Sequence, residues 1–436
     1  MDMMQRPMIK FDDIQIDAIN ACCNMDGDRI VAVTGPAGTG KTRIIEEVGR
    51  RLRAYGYEIA CSAPTGKAAR RISDLTGLPA VTNHSLLGYG HPIEGDVVDD
   101  EGKKEHYRLS GLPRFNKFNQ FPYDVILCDE YAMVNNEIHR GLIDAMKPGS
   151  RICMLGDVQQ LKPIEEDKRL DKELSIFTQM LRKFKGIILA TNHRQEEGSG
   201  IAANGVRVLG GKPPKKFPDF DLRFSDQPVE SLKKFIREQE EKGILYSSLD
   251  TQIITTMHKS WVGTKKLNQV IQTMYWDRSR PYLDLERHRW EGMVPEQGIR
   301  IQVGTKVVYT ANSYDLGYGH FAYNGEVGHV AWIDDMGAVT VRMFDRTIVV
   351  PPLIVVVTGK GKAFEQDPRK NLDLAYVLTT HKMQGSECDH ICYIMNKSTI
   401  FTQSRRNLYT GITRARKFCT IITDQPSITK SIRNPG

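Results

Sequence analysis

The sequence predicts an α/β protein that contains two parallel β-sheets. Nearly continuous apolar runs recur along the chain, and each one ends in polar or turn residues. Such runs are typical of strands that are buried on both faces of a parallel sheet. Between the first two runs, apolar residues at helical spacing precede Gly56, which predicts a strand-helix-strand unit. The runs are 29–35, 57–65, 123–130, 151–157 and 186–194 for one sheet, and 251–258, 374–381, 390–396 and 417–424 for the other.

Two segments depart from this parallel pattern. Residues 294–358 contain short β-rich runs separated by glycine and Asp or Asn turns, which predicts a small antiparallel barrel inserted into the second sheet unit. Residues 86–121 are glycine-rich and charged with scattered aromatic side chains, which favours a hairpin that interrupts the first unit. The predicted fold is therefore two parallel-sheet units, each carrying an antiparallel insertion.

Length and composition limit the class of protein. A chain of 436 residues is too long for one hydrophobic core, and 40% hydrophobic with 26% charged residues predicts folding throughout. The first residues lack an apolar signal segment, and no long uncharged apolar window follows, so we expect no membrane association. The expected location is the cytoplasm, in the nucleoid or in a host cytoplasm if the chain is viral. A net charge of +7 permits a polyanionic partner without requiring one.

The eight cysteines do not form a metal-binding pattern. Only Cys388 and Cys392 have a spacing near that of metal ligands, and no second cysteine or histidine pair completes a zinc set. Several cysteines lie inside apolar runs, so we expect buried, reduced thiols.

The stretch GPAGTGKT (35–42) has the phosphate-loop pattern G-x-x-x-x-G-K-[ST]. It follows a predicted strand and opens a predicted helix, where backbone N–H groups can surround phosphates at the positive helix end. Lys41 is expected to neutralise the β- and γ-phosphate oxygens, and the Thr42 hydroxyl is expected to bind Mg²⁺. The predicted nucleotide-binding residues of this loop are Gly35, Pro36, Ala37, Gly38, Thr39, Gly40, Lys41 and Thr42.

Two adjacent carboxylates follow a later apolar run, in VILCDE (125–130). Without the phosphate loop they would be an ordinary charged strand end. With it, Asp129 is expected to hold Mg²⁺, and Glu130 is expected to polarise an attacking water. The sequence therefore predicts nucleotide hydrolysis. A GTPase is disfavoured because no guanine-reading Asn-Lys-x-Asp pattern is found.

The order of further motifs resembles that of superfamily 1 helicases, and more closely the RecD/Dda-like group of the 5′-to-3′ branch (superfamily 1B). The resemblance extends from Gln15 to Arg416, and several ordered matches are more specific than any single one. These motifs are SAPTGKAARRISDLTG (62–77), TNHSLL (82–87), LGDVQQLKP (155–163), THKMQGSE (380–387) and YTGITRARK (409–417).

The resemblance implies two RecA-like P-loop domains with two insertions, a β-hairpin called the pin and an SH3-like β-barrel. Tyr107, Phe115 and Phe118 are alternatives for a pin aromatic that stacks on the terminal base pair, and a loop packed on its own aromatics is equally compatible. The implied boundaries are 1–186 for the first domain with the pin at about 86–121, 187–293 with 371–436 for the second, and 294–370 for the barrel.

The resemblance also implies roles for single residues. Gln15 matches a glutamine that reads the adenine edge, although it is also compatible with a helix-surface position, and Gln160 matches a γ-phosphate sensor. Arg194 and Arg414 match arginine fingers. Gly385 and Glu387 belong to a motif expected to contact the nucleotide. The residues implied for nucleic-acid binding are Thr65, His84, Thr380, His381 and Lys382, and His84 is also compatible with a capping or core histidine. Apart from the resemblance, Trp261 in the basic stretch 258–266 is compatible with a stacking residue and equally with a core residue.

The implied function is an ATP-dependent 5′-to-3′ DNA helicase that uses Mg²⁺, translocates on single-stranded DNA and separates duplex strands. Its expected partners are single-stranded and forked DNA, together with replication or recombination proteins, and it is expected to act as a monomer. The 5′-to-3′ polarity rests on the resemblance alone. The residues do not distinguish DNA from RNA as the substrate. The alternatives are an ATP-driven translocase or RecD-like nuclease subunit without independent unwinding, and a non-catalytic nucleic-acid-binding protein with structural ATP.

Overall fold

The computed structural model describes most of the chain, and its elements follow the predicted order. The described residues are 11–89, 93–98, 104–109, 113–163, 173–191, 198–287, 296–313, 316–317, 320–344, 346–357 and 363–436. The helices are α1 (Asp13–Cys23), α2 (Lys41–Ala54), α3 (Gly66–Thr76), α4 (Asn83–Leu87), α5 (Asn136–Ala145), α6 (Ile176–Lys183), α7 (Gly200–Leu209), α8 (Pro228–Glu240), α9 (Thr264–Tyr275), α10 (Arg405–Ile412) and α11 (Gln425–Arg433).

The strands are shorter than the apolar runs that predicted them. In chain order they are β1 (Ile30–Thr34), β2 (Ile59–Ala63), β3 (Ala80–Thr82), β4 (Ile93–Val98), β5 (Lys104–Leu109), β6 (Val125–Cys128), β7 (Arg151–Gly156), β8 (Ile187–Ile188), β9 (Phe220–Phe224), β10 (Thr251–Thr255), β11 (Leu283–Arg287), β12 (Glu296–Ile301), β13 (Lys306–Tyr309), β14 (Val327–Ile333), β15 (Val339–Met343), β16 (Thr347–Val350), β17 (Ile354–Val357), β18 (Ala363–Gln366), β19 (Leu372–Leu374), β20 (Val377–Thr379), β21 (Cys388–Ile394) and β22 (Ala415–Thr423).

The first sheet has the order β3-β2-β6-β7-β1-β8, and all its pairings are parallel. Every residue of β6 and β7 is buried, as expected for strands covered on both faces. Helices α1, α2 and α3 contribute to the core on one face, and α4, α5 and α6 contribute to the core on the other. Because the strands are parallel, the loops after β1, β6 and β7 meet at one edge of the sheet.

The second sheet has the order β20-β10-β21-β22-β9 and is also entirely parallel. Its edge strand β9, with the sequence FDLRF, is absent from the predicted runs. Only Phe220 and Leu222 of that strand are buried, so its apolar residues alternate instead of running continuously. The two-sheet α/β architecture is thus confirmed, with one strand more than predicted in each sheet, β3 in the first and β9 in the second.

The two departing segments are antiparallel. Strands β4 and β5 pair as a hairpin, from Ile93 opposite Leu109 to Val98 opposite Lys104. Residues 306–374 supply a five-stranded antiparallel sheet with the order β16-β15-β14-β13-β19. The identities of these insertions as a pin and an SH3-like barrel stay predictions.

Strand pairing crosses the predicted boundaries by a few residues. The short β8 pairs with β1 in the first sheet, β11 pairs with β12, and β19 pairs with β13 of the antiparallel sheet. A change in composition along the chain does not reveal which strand a segment will pair with, so the division into domains remains a prediction.

All eight cysteines are free thiols, and seven of them are buried. Cys388 and Cys392 lie on β21. In the part of the chain described above, no group of three His, Cys, Asp or Glu side chains is suited to a metal ion. No helix in that part is long and apolar enough to cross a membrane.

The antiparallel sheet is joined to both parallel sheets by close contacts. The buried Lys306 of β13 donates from Nζ to the carbonyl oxygens of Ser248 and Thr251, both at 2.7 Å, next to the start of β10. On the other side, Tyr323 lies directly over Gly66, the first residue of α3. A Cβ atom on Gly66 would lie 2.3 Å from Tyr323 Cγ and 2.5 Å from Tyr323 Cβ.

We expect Gly66→Ala to destabilise the protein by about 1–3 kcal/mol, because the added methyl group must displace the Tyr323 ring. The same change should cost far less in a Tyr323→Ala background, where the ring is absent. Denaturant unfolding of the four proteins of this double-mutant cycle measures the difference. An equal loss of stability in both backgrounds would show that Tyr323 is not what Gly66 accommodates.

Candidate nucleotide site and nucleic-acid interface

The phosphate loop connects β1 to α2 and is held by its own hydrogen bonds. Gly38 and Gly40 have φ angles of +89° and +83°, a conformation that favours glycine. The Lys41 ammonium donates to the carbonyl oxygens of Gly35 and Pro36 at 2.7 and 2.9 Å. Thr39 Oγ1 also donates to the Pro36 carbonyl, at 2.9 Å. Sequence and backbone therefore agree on a loop that curls around the lysine at the start of a helix.

The carboxylate pair after β6 lies against the end of this loop. Thr42 Oγ1 donates to Asp129 Oδ2 at 3.3 Å, and the Glu130 N–H donates to Asp129 Oδ1 at 2.8 Å. Glu130 has a φ angle of +51°, a conformation that is rare for a side chain of its size. These contacts place a hydroxyl and a carboxylate, both hard oxygen ligands, beside each other at the mouth of the phosphate loop.

The side chain of Glu130 is electrostatically unusual. Its Oε2 atom is buried and has no hydrogen-bond partner among the described residues. Burial raises the pKa of Glu130, the like charge of Asp129 raises it further, and the positive charges of Arg414, Lys41 and Arg71 act in the opposite direction. Glu130 is thus a poorly solvated carboxyl group facing cations from both parallel sheets.

A cavity of about 350 Å³ lies between the two parallel-sheet units. Gly35, Pro36 and Thr39 are not among its lining residues and instead shape the loop through the bonds given above. The cavity combines most of the predicted nucleotide and catalytic residues, which are Gln15, Ala37, Gly38, Gly40, Lys41, Thr42, Asp129, Glu130, Gln160, Gly385, Glu387 and Arg414.

Gln15 is buried against the phosphate loop, so the alternative that it is a helix-surface glutamine is wrong. It is 3% exposed, its Nε2 atom donates to the Thr39 carbonyl at 3.0 Å, and its Oε1 atom accepts from the Asp12 N–H at 3.0 Å. The Asp12 carboxylate accepts in turn from the Gln15 N–H at 2.8 Å, which completes a capping box at the start of α1. Whether Gln15 reads adenine stays a prediction.

Arg414 reaches the cavity from the second unit. It is 2% exposed, and its guanidinium donates to the carbonyl oxygens of Thr410 at 3.1 Å and Ser386 at 3.4 Å. These bonds hold the Arg414 guanidinium near Glu130. Its positive charge lowers the pKa of the Glu130 carboxyl and so opposes the effect of burial. Arg194, the second predicted finger, lies outside the described residues.

Sequence reasoning missed Arg71, which lines the same cavity from α3. Its guanidinium lies 3.3 Å from the Glu387 carboxylate of the second unit. The signal was present, because Arg71 closes the basic stretch KAARR (67–71), but a run of basic residues does not show which of them faces a nucleotide.

The turn that carries Gln160 is held by α10 of the second unit. The Tyr409 hydroxyl donates to Asp157 Oδ2 at 2.8 Å, and the Leu161 N–H donates to Thr410 Oγ1 at 3.0 Å. Arg406 Nη1 donates to the carbonyl oxygens of Val158 and Gln160. Gln160 itself is 2% exposed, and its Oε1 has no hydrogen-bond partner in the described part of the chain. Gln160, which the motif predicts to be a γ-phosphate sensor, therefore lies where both units meet the cavity.

The predicted nucleic-acid residues differ in how available they are. The Thr65 hydroxyl caps α3 by accepting from the Ala68 N–H at 3.3 Å. Thr380 is fully buried and donates to the Thr255 carbonyl at 3.2 Å, so its hydroxyl links two strand ends. His84 is exposed on α4, which excludes a core histidine.

His381 and Lys382 follow Thr380 and are both partly exposed. Burial lowers the pKa of His381, and the charge of His258 lowers it further. The Lys382 N–H donates to Thr379 Oγ1 at 3.2 Å, which fixes the backbone at the end of β20. These two residues present a largely neutral imidazole and an ammonium at the carboxyl edge of the second sheet.

A phosphate loop after β1, a carboxylate pair after β6 at the same edge of the sheet and an arginine from a second parallel sheet define a P-loop protein with two RecA-like units. The AAA domain model matches residues 15–166, and the UvrD-like helicase C-terminal domain model matches residues 374–422.

Full-length comparisons agree with these two matches. The chain is 29% identical over 394 residues to the ATP-dependent RecD2 DNA helicase of Deinococcus radiodurans, covering 89% of this chain and 46% of that protein. It is 24% identical over 447 residues to the RecBCD enzyme subunit RecD of Mycolicibacterium smegmatis, covering 92% of this chain and 70% of that one. The chain thus spans less than half of the Deinococcus relative.

Solved structures show the same fold. Bacteroides Pif1 bound to single-stranded DNA superposes with a TM-score of 0.57 at 20% identity, covering 97% of this chain and 94% of that one. Pif1 helicase from Candida albicans gives a TM-score of 0.57 at 19% identity, with 97% of both chains covered. The chain is therefore similar in sequence to RecD2 and RecD helicase proteins and similar in fold to Pif1 helicases.

We expect Tyr409→Phe to lower the free energy of unfolding by about 1–3 kcal/mol, because Asp157 Oδ2 then lacks its donor in a buried site. Thermal or denaturant unfolding measures this loss. Tyr55→Phe, at an exposed tyrosine after α2, is the matched control and should leave stability unchanged. Equal stability of the two variants would mean that the bond to Asp157 contributes nothing to holding the units together.

Proposed function

We propose that this protein is an ATP-dependent DNA helicase that moves 5′ to 3′ on single-stranded DNA and separates duplex strands. The observation that carries the proposal is the cavity shared by both parallel sheets, in which the phosphate loop and Glu130 of one unit face Arg414 of the other. A protein that used ATP only as a structural ligand would need neither a buried carboxylate base nor an arginine from a second unit.

Each residue around the cavity has a distinct task in ATP hydrolysis. The loop N–H groups and Lys41 hold the phosphates, and Glu130 accepts the proton of the attacking water. Arg414 stabilises the charge that develops on the transferred phosphoryl group, with Arg194 as the second finger. The hydroxyl of Thr42 and the carboxylate of Asp129 are suited to Mg²⁺, which would neutralise phosphate charge when bound.

Hydrolysis would become movement through the contact between the units. ATP that contacts both units favours the closed state of the cleft between them. Loss of the γ-phosphate removes this link between the units. Gln160 is the residue that would report this loss, because its turn is bonded to α10 of the second unit. If the grips of the two units on single-stranded DNA alternate in strength, the strand is moved in one direction.

The hairpin β4–β5 is proposed to be the pin that separates strands, and the five-stranded antiparallel sheet to be the SH3-like barrel. The domain division 1–186, 187–293 with 371–436, and 294–370 belongs to the same proposal.

Phe115 packs on Phe121 with ring centroids 5.1 Å apart, whereas Phe118 is 87% exposed beside Lys117. Exposure favours Phe118 over Phe115 as the stacking aromatic, and the Tyr107 side chain lies outside the described residues.

The proposed substrates are single-stranded and forked DNA, bound by a monomer in the cytoplasm, with replication or recombination proteins as further partners. One solved relative is a Pif1 bound to single-stranded DNA, and another is described at forked duplex DNA. The second candidate is a RecD-like subunit that translocates without independent unwinding. It is favoured by the RecBCD subunits, which match over 92% of this chain.

Glu130→Gln should reduce DNA-stimulated ATP hydrolysis by about 10²–10⁴-fold, because the amide cannot accept the proton of water. Binding of ATP and of single-stranded DNA should persist. Steady-state phosphate release and equilibrium binding measure the two effects. The control is Glu230→Gln, which removes an exposed carboxylate from α8 and should leave hydrolysis unchanged. Normal hydrolysis by Glu130→Gln would exclude Glu130 as the base.

Unwinding of two partial duplexes, one with a 5′ tail and one with a 3′ tail, should give product only from the 5′-tailed substrate. The assay requires Mg²⁺-ATP and a trap strand. Product only from the 3′-tailed duplex would contradict the polarity. No product from either substrate, despite DNA-stimulated ATP hydrolysis, would favour the second candidate, a RecD-like subunit that translocates without independent unwinding.

A further inference from the structure

Three loops meet at the carboxyl edge of the second parallel sheet. Strands β20, β10 and β21 are neighbours and run parallel, so the segments that follow them lie side by side. These segments are residues 380–384 after β20, 256–263 after β10 and 396–404 after β21. The first of them contains the predicted nucleic-acid residues His381 and Lys382, while the other two were not assigned as a unit.

Side-chain contacts confirm that these loops touch. Thr402 Oγ1 donates to Thr256 Oγ1 at 2.7 Å, which links the loop after β21 to the loop after β10. The Thr380 N–H and hydroxyl both donate to the Thr255 carbonyl, at 2.9 and 3.2 Å, so the loop after β10 also begins beside the loop after β20. The three segments therefore form one continuous surface.

Two large aromatic rings project from this surface into solvent. Trp261 is 73% exposed and Phe401 is 93% exposed. The backbone that carries each ring is held in place by a buried neighbouring residue. Val262, next to Trp261, is fully buried, and Gln403, close to Phe401, is 1% exposed and donates to the Asn396 carbonyl at 2.8 Å. Fixed backbones under exposed rings provide stacking faces at a small entropic cost.

The charge around the rings is positive. The three segments contain Lys259, Lys382 and Lys397, and none of the three contains an Asp or a Glu. An acidic protein surface would be attracted by the cations but would leave the rings unused, whereas a polymer that is anionic along its backbone and carries flat aromatic groups uses both the cations and the rings.

We propose that Trp261 and Phe401 form a stacking platform for the bases of an unpaired nucleic-acid strand whose phosphates face Lys259, Lys382 and Lys397. The proposal rests on the proposed function and assigns a part of its DNA track that the motifs do not specify. Every base has a π face, so such a platform accepts any sequence, as a translocating enzyme requires.

The test is equilibrium binding of two labelled strands to the full chain without nucleotide. One strand is a short oligothymidine, and the other has the same length and phosphates but abasic sites throughout. Trp261→Ala and Phe401→Ala should each weaken binding of oligothymidine about tenfold, the size expected for loss of one stacked base. Binding of the abasic strand should stay unchanged, because its phosphates still meet the lysines.

Two further variants serve as controls. Phe401→Trp should retain oligothymidine affinity, because it preserves a stacking face. Tyr55→Ala removes a ring that is 79% exposed at the C-terminal end of α2, away from this edge, and should bind both strands as the unmodified protein does. Since Trp261 and Phe401 are exposed, their alanine variants should unfold at the temperature of the unmodified protein.

The outcomes separate this inference from the proposed function. If the unmodified protein binds oligothymidine but both alanine variants bind it equally well, the platform is excluded and the rings serve another partner. If the variants lose affinity equally for the abasic strand, the rings contact the backbone and the stacking is excluded. If the unmodified protein binds neither strand, the proposed function fails together with the platform.

Discussion

The contact between α10 and the turn 157–161 is the interaction on which the rest of the arrangement depends. Tyr409 and Asp157 are 252 residues apart in sequence, and their 2.8 Å bond joins the two parallel-sheet units behind the cavity. The same helix positions Arg414 just beyond its end, and the same turn positions Gln160. Because one contact sets both side chains, any change in the separation of the units must alter the part of the cavity that Gln160 and Arg414 line.

The cavity is assembled at a cost to stability. Glu130 combines a left-handed backbone with a carboxyl oxygen that has no hydrogen-bond partner among the residues described, and like charge from Asp129 lies beside it. Each of these features is unfavourable in a folded protein and is typical of functional sites. The neighbouring cations offset part of this cost, and two of them, Arg71 and Arg414, come from outside the phosphate loop. The positive charges that reduce the cost of burying Glu130 also line the cavity in which ATP would bind.

The parts of the molecule that could be predicted from sequence are those set by local pattern. Fully buried strands such as β6 and β7 appear as continuous apolar runs, and the phosphate loop needs glycine at positions with positive φ. The edge strand β9 escaped prediction because only alternate residues are buried. Arg71 was visible as a basic residue, but its place beside Glu387 depends on how two distant segments pack. The burial of Thr380 and the bond between Tyr409 and Asp157 likewise depend on tertiary packing, which no motif spacing encodes.

If the second unit completes the ATP site of the first, Arg414→Ala should abolish most hydrolysis while ATP still binds. ATP hydrolysis should be measured under single-turnover conditions with saturating single-stranded DNA, alongside the affinity for ATP. The rate should be about 10³–10⁵-fold lower than that of the unmodified protein, the range for loss of an arginine finger, with ATP still bound. Hydrolysis at the unmodified rate would show that the first unit works alone and would contradict the shared site.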